Sequence, residues 1–286
     1  MRLSRWCALV SVSLLSLLAL PALAAGTLDR IRASKSISFG YRESSIPFSF
    51  TGEDNQPWGY SVDLCLRIAA AVVKQLDLDE LQLHWVAVTP ANRISKLRSG
   101  QIDVECGSTT SSLARMAEVD FSLPIFADGA SYLYRRTAGI RRVDDLAGKR
   151  IAVAAATTNQ RTLAEILARD KLAAEVVEVG DHTQGLAALL GGRVDAYFAD
   201  RSLLIGLALD AGKQTDWSLG PETFSYEPYA LMLRRNDADF RLLINRELAR
   251  LYRSREILSI HDRWFGFLGK PGSQLESLYQ LNALPE

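Results

Sequence analysis

The chain has no surplus of charge of either sign: 33 basic residues stand against 33 acidic ones in 286. A nucleic-acid binder normally shows a basic excess or a basic face, and neither is visible. Histidine and cysteine are scarce, at three each. No Cys-x-x-Cys pair, Cys/His cluster or His-Glu-x-x-His stretch occurs, so no metal-binding spacing is present. A Gly-x-Gly-x-x-Gly following a strand is also missing. Ala147-Gly148-Lys149-Arg150 lacks both the upstream Gly and the Ser or Thr of a phosphate loop. Gly59-Tyr60-Ser61-Val62-Asp63 lacks the second Gly of a nucleophile elbow. The sequence specifies no covalent or metal chemistry, and it assigns no catalytic residue, metal or cofactor. There is no low-complexity tract and no short-period repeat.

Long apolar runs are nearly absent too. The one at the start, Ala8 to Leu20, follows Arg2 and Arg5 and precedes Pro21-Ala22-Leu23-Ala24. That order predicts a secretory signal peptide over residues 1–24, cleaved after Ala24 or Ala25. The run is too short to span a membrane comfortably, and small residues follow it instead of a basic stop. Cys7 precedes the run, so the pattern is not that of a lipoprotein. Without Arg2 and Arg5 the balance becomes 31 basic to 33 acidic, and the mature part is faintly acidic. The whole chain, at 48% hydrophobic and 23% charged, has the composition of a globular protein with a core. Its length leaves room for two domains.

What is present is an alternation of strands and helices. Ile37–Tyr41, Leu83–Val88 and Ile102–Cys106 read as strands, and a helix after Gly59 carries Val62, Cys65, Leu66, Ala69, Val72 and Val73 on one stripe. Asn92–Arg98 reads as a short helix stopped by Gly100. A second unit begins near Asp144, with strands at 150–154, 175–179 and 194–198 and helices at 157–169 and 184–190. Strands separated by helices of this size indicate parallel sheets built from βαβ units. Ser131–Arg135 and Tyr229–Arg234 bracket that unit, and Asp237–Phe267 is helical. A chain that leaves one lobe, builds a second and returns creates two crossings and a cleft. Cys65 lies on the helix stripe, and Cys106 shares a strand face with Ile102 and Val104. A disulfide fits this placement, in an oxidising compartment, and so do two buried thiols.

The segments Tyr41-Arg42-Glu43-Ser44-Ser45-Ile46-Pro47-Phe48-Ser49, Glu105-Cys106-Gly107-Ser108-Thr109-Thr110, and Arg115 followed by Val119-Asp120-Phe121-Ser122 resemble solute-binding proteins of polar amino-acid ABC transporters. The resemblance spans nearly the whole mature chain, in order. Arg42-Glu43-Ser44-Ser45, Ala91-Asn92-Arg93 and Asp181-His182 are most similar to the glutamate/aspartate-binding branch. The resemblance implies an α/β periplasmic binding protein fold, with two α/β lobes joined by two hinge strands. Lobe one would comprise residues 25–126 and 223–286, and lobe two residues 127–222. It also implies a periplasmic monomer with an acidic amino acid as ligand and the membrane subunits of an ABC transporter, or a sensor, as partners.

The physical role of each position can be stated beside the resemblance. Arg115 can offer a planar fork to an α-carboxylate; on pattern alone it would be a surface arginine. Asp200, between a strand and a helix, can receive an ammonium group or cap the helix. Ser108, Thr109 and Thr110 stand at the carboxyl end of a strand, where open α/β sheets place ligands. Thr157 and Thr158 open a helix whose first N–H groups suit an anion. Arg42, Arg93 and His182 together favour a second carboxylate, with His182 protonated if it contributes charge; alone, His182 reads as structural. Pro90 stands where this branch often has a Ser, and Arg201 where an acidic residue often follows the aspartate. The alternative class is an enzyme on the same scaffold, of the cyclohexadienyl dehydratase type. It would need a free acid in the cleft, and Asp200 is the only acid these positions supply.

Overall fold

The computed structural model describes residues 26–212 and 216–286. The expected signal segment 1–24, with Cys7, lies outside them. Among the described residues no helix is long and apolar enough to cross a membrane.

Two five-stranded sheets form the two lobes. The first is ordered β5 (Gln82–Ala87), β1 (Ser36–Tyr41), β6 (Val104–Cys106), β13 (Glu227–Leu233), β7 (Asp120–Asp128). In it β1 runs parallel to β5 and β6, while β13 is antiparallel to β6 and β7. The second is ordered β10 (Glu175–Val179), β9 (Arg150–Ala154), β11 (Ala196–Asp200), β8 (Ala130–Arg135), β12 (Trp217–Leu219). The predicted strands at 131–135 and 229–234 are therefore β8 and β13, one in each sheet. The chain crosses between lobes at 128–130 and returns ahead of Glu227, which sits opposite Asp128 in the β7–β13 ladder.

Packing follows from strand alternation, which sends successive side chains to opposite faces. In the second sheet Val153 and Phe198 join Leu163 and Ile166 of α5 (Thr158–Arg169) on one face. Their neighbours Ala152 and Tyr197 join Leu189 of α6 (His182–Leu190) and Leu204 of α7 (Arg201–Asp210) on the other. In the first lobe α2 (Tyr60–Leu76) lays Leu64, Cys65, Ile68 and Val72 into a core with Ile37, Phe39 and Val104. Phe48 sits among Phe126, Tyr229 and Phe265, with ring centroids 4.9, 5.0 and 5.1 Å away. Each such buried side chain contributes about 1.5–3 kcal/mol of apolar burial. The helical last third, α8 (Ala238–Arg253) and α9 (Glu256–Phe265), returns to this core.

Some elements were not read from the sequence. These are α1 (Thr27–Ser34), α10 (Ser273–Leu281) and a small sheet of β2 (Ser44–Ser45), β3 (Ser49–Thr51) and β4 (Pro57–Trp58). Strands of two or three residues are too short to show a period.

Cys65 of α2 and Cys106 of β6 are joined, with an S–S distance of 2.04 Å. The cross-link spans 41 residues, which in the chain-entropy model removes about 4 kcal/mol of unfolded-state freedom. Mature protein unfolded without reductant should therefore show no titratable thiol, and its reduced form should lose up to that stability in urea titration. Two free thiols would contradict the bond.

Candidate functional site

The site residues come from element ends on both sides of a closed cleft. From the first lobe come Arg42, just past β1, and Arg93, at the start of α3 (Arg93–Arg98). Ser108, Thr109 and Thr110 follow β6, and Arg115 stands in α4 (Leu113–Met116). From the second lobe come Thr157 and Thr158 at the start of α5, His182 at the start of α6, and Asp200 at the end of β11. The lobes touch: Thr110 Oγ1 lies 3.3 Å from Thr158 Oγ1. On α7, Gly206 sits so close to the Ile46 carbonyl that an added Cβ would lie 2.7 Å from its oxygen.

Closure buries charge. Arg42, Arg93, His182 and Asp200 are each no more than 4% exposed. Burial, then the neighbouring Arg93, pulls the Arg42 guanidinium down to about 10, so it stays charged at neutral pH. Arg115 is likewise lowered to about 10 by burial and by Arg93, with Glu105, Glu227 and Asp200 acting the other way. Burial also lowers Arg93, against the pull of Glu105. Arg93 Nη1 donates to Thr109 Oγ1, which donates in turn to Glu105 Oε2 at 2.6 Å. Arg115 Nη1 donates to the Thr110 carbonyl at 2.7 Å.

The opposite end is acidic. Asp200 is pushed well above the usual carboxylate range by burial and then by Asp128 and Glu227. Burial raises Asp128 to about 6, although its carboxylate accepts from the backbone N–H groups of Gly129 and Ser202. The cleft is thus polarised, with the Arg42–Arg93 pair at one end and the Asp128–Asp200–Glu227 cluster at the other.

Buried polar atoms nearly always find partners. Here Arg42 Nη2, Arg93 Nε, Glu105 Oε1, Asn159 Oδ1, Asp200 Oδ1 and the Tyr229 hydroxyl retain unspent hydrogen-bonding capacity. An arrangement of this kind can hold a small zwitterion with a further negative group.

Three sequence expectations change in detail. Burial, then Arg42 and Arg93, lowers His182 to about 3, and its Nδ1 is hydrogen-bonded to the Tyr197 hydroxyl at 2.6 Å. It is neutral at physiological pH and adds no cationic charge. Asp200 makes no side-chain cap for α7, whereas Asp181 caps α6 by accepting from the Gln184 N–H. The Thr157 hydroxyl is engaged at its own helix start, donating to the Ala154 carbonyl and accepting from the Gln160 N–H. Ser108 is buried beside Thr109. Arg201 turns to the Gly220 carbonyl at 2.9 Å.

Sequence reasoning missed Glu105, Asp128, Asn159, Glu227 and Tyr229. In the predicted strand Ile102–Cys106, Asp103 and Glu105 alternate with apolar residues and read as a solvent face. The strand lies between β1 and β13, however, and both acids are buried. Asp103 is matched by Arg30 and Arg234, and Glu105 by Arg93 and Thr109.

This fold and cleft define a two-lobed α/β binding protein of the periplasmic type. Residues 37–267 match the model of bacterial extracellular solute-binding proteins, family 3, and the chain belongs to that family. It is 39% identical over 241 residues to an L-glutamate/L-aspartate-binding protein of Pseudomonas aeruginosa, covering 84% of this chain and 80% of that protein. A glutamate/aspartate import solute-binding protein of Salmonella typhimurium is 35% identical over 242 residues, covering 85% and 80%. Among solved structures, an ancestral arginine-binding protein bound to glutamine superposes with a TM-score of 0.72 at 25% identity, over 81% of this chain and 98% of that one.

The neutral His182 has a consequence for stability. Its folded pKa lies below the ordinary value of 6.5, so below pH 6.5 the unfolded chain takes up a proton that the folded chain refuses. The contribution is complete above pH 6.5 and is lost as pH falls towards 3. Asp128 acts in the opposite sense, contributing below its unfolded pKa and losing that contribution as pH rises through about 6. Between pH 7 and pH 5, wild type should lose up to about 2 kcal/mol more stability than His182→Gln. Urea titrations at the two pH values measure this; equal losses would mean that His182 is protonated in the fold.

Proposed function

We propose that this protein captures L-glutamate or L-aspartate in the periplasm by closing its lobes on the amino acid, and delivers it to the membrane subunits of an ABC transporter. The observation that carries this reading is the polarised cleft. At the basic end two buried guanidinium groups draw chiefly on one carboxylate, Glu105, with Asp181 and Asp200 acting more weakly. A ligand side-chain carboxylate offsets the remaining positive charge. At the other end Asp200 receives the ammonium group, and Arg115 with the N–H groups opening α5 receives the α-carboxylate. The names of the relatives point to the same ligands. In this reading residues 1–24 are removed on export, 25–126 with 223–286 form one lobe and 127–222 the other, and the protein acts as a monomer.

Ligand contacts with both lobes favour the closed form. No chemical step is needed. Asp200 is not the only acid in the cleft, as the sequence suggested, because Glu105, Glu227 and Asp128 share it. Incubation with prephenate or arogenate, followed by mass spectrometry, should return both unchanged; conversion would establish the enzyme reading instead.

Calorimetry on ligand-stripped protein tests the ligand. Glutamine matches glutamate in shape but leaves a buried cation uncompensated, which costs several kcal/mol. Glutamate or aspartate should therefore bind at least ~100-fold more tightly than glutamine, arginine or leucine. Arg115→Ala should abolish binding of every amino acid, whereas Arg42→Ala or Arg93→Ala should chiefly erode discrimination against the amides. Glutamine bound as tightly as glutamate would overturn the assignment.

Closure has its own test at Gly206. Alanine there favours α7 by up to about 1 kcal/mol, but its Cβ would meet the Ile46 carbonyl only when the lobes are shut. Overpacking of this kind costs about 1–3 kcal/mol. Gly206→Ala should keep or raise the melting temperature without ligand while weakening glutamate binding roughly ten-fold. Unchanged affinity would place this contact outside the bound state.

A further inference from the structure

Glu227 begins β13, where the chain re-enters the first lobe, and is 3% exposed. Three hydroxyls donate to its carboxylate. Ser225 Oγ reaches Oε1 at 2.7 Å, while Thr110 Oγ1 and Thr158 Oγ1 both reach Oε2, at 2.6 and 2.7 Å. Thr110 belongs to the first lobe and Thr158 to the second, so a single oxygen spans the cleft.

A hydroxyl has one proton to give. Once Thr110 and Thr158 have given theirs to Glu227, their oxygens can only accept hydrogen bonds from anything else in the cleft. Asp200 belongs to the same end of the cleft, where Glu227 acts on it electrostatically and the Tyr229 hydroxyl and Asn159 lie beside it. The two threonine oxygens and the Glu227 carboxylate thus form a group of acceptors with no proton to offer, which suits a cationic group with several N–H donors. If the carboxylate at 227 were lost, the two threonine protons would be free to turn into the cleft or towards one another across their 3.3 Å separation.

We propose that Glu227 is a positioning residue: it fixes the hydroxyl protons of Thr110 and Thr158, so that both oxygens accept from the ligand's α-ammonium group while the lobes are held shut around it. This rests on the amino-acid-binding reading above. Glu227 acts through the two threonines, and its hydrogen bonds reach the ammonium end of the ligand, while its charge also acts on Arg115.

The test compares glutamate with glutarate, which keeps both carboxylates and the carbon chain but has no ammonium group. Dissociation constants for both are measured on wild type, Glu227→Gln and Glu227→Asp, with melting curves to establish that each variant folds. Glu227→Asp keeps the charge but is one methylene too short to reach both threonines. In wild type, glutarate should bind at least ~100-fold more weakly than glutamate. In both variants glutamate should weaken roughly ten- to hundred-fold while glutarate changes little, so the ratio narrows. Equal weakening of both ligands would reduce Glu227 to a structural prop and overturn the proposal. A wild-type ratio retained in Glu227→Asp would make charge alone sufficient, and would overturn it as well. Failure of wild type to bind glutamate would instead refute the function proposed above.

Discussion

The constraint on which the rest of this structure depends is the cost of holding guanidinium groups away from water. Arg42 and Arg93 are almost fully buried, and moving an ion into a protein interior costs several kcal/mol even after relaxation. Arginine meets that cost by staying charged and finding planar partners. The structure therefore supplies acceptors close by: Thr109 and Glu105 for Arg93, and the Thr110 carbonyl for Arg115. Burial beside two guanidinium groups also keeps His182 neutral, as a third cation there would only add repulsion. Its hydrogen bond with the Tyr197 hydroxyl fixes the ring in the second lobe.

The scaffold places these groups at element ends for a physical reason. In an open α/β sheet the side chains along a strand are consumed by packing, and the loops beyond its carboxyl end are free to carry polar groups. Arg42 follows β1, Ser108–Thr110 follow β6, and Asp200 closes β11. Helix starts contribute in the same way at Arg93, Thr158 and His182. The disulfide between α2 and β6 ties the helix covering the first sheet to the strand that delivers Ser108–Thr110.

Much of this was legible in the sequence, and the gaps have identifiable causes. Strand and helix alternation appeared because apolar periodicity survives in β9, α5 and β10, whose bounds match to within a residue. Five of the positions singled out for the cleft lie near one another: Arg42 and Arg93 act on His182 across the lobes, and Thr110 meets Thr158. The buried acids stayed hidden because period-two alternation cannot distinguish a half-exposed strand from a central one lined with paired charges. Glu105 is a case of the second. Glu227 was hidden differently: Glu-Pro ahead of an apolar run reads as a turn before a strand, and nothing local tells that hydroxyls from both lobes will reach it. The neutral state of His182 depends on Arg42 and Arg93, which are remote from it in the chain, so no local pattern reports it.

A cleft of this design separates ligands by charge more sharply than by length. Glutamate and glutamine are nearly isosteric, so shape alone distinguishes them poorly, whereas an uncompensated buried guanidinium costs several kcal/mol. Glutamate and aspartate differ by one methylene, worth about 0.8 kcal/mol of burial and only about 1–3 kcal/mol even in a fitted pocket. The charge penalty decides whether a ligand is accepted, and the methylene only ranks the two acids. At position 90 a proline stands, and its side chain has no hydrogen-bonding group to give a ligand. In the proposed reading, recognition of the side-chain carboxylate rests on the buried guanidinium groups of Arg42 and Arg93. In that reading, tolerance of both acidic amino acids and rejection of their amides share one cause: the basic end of the cleft is specified by charge.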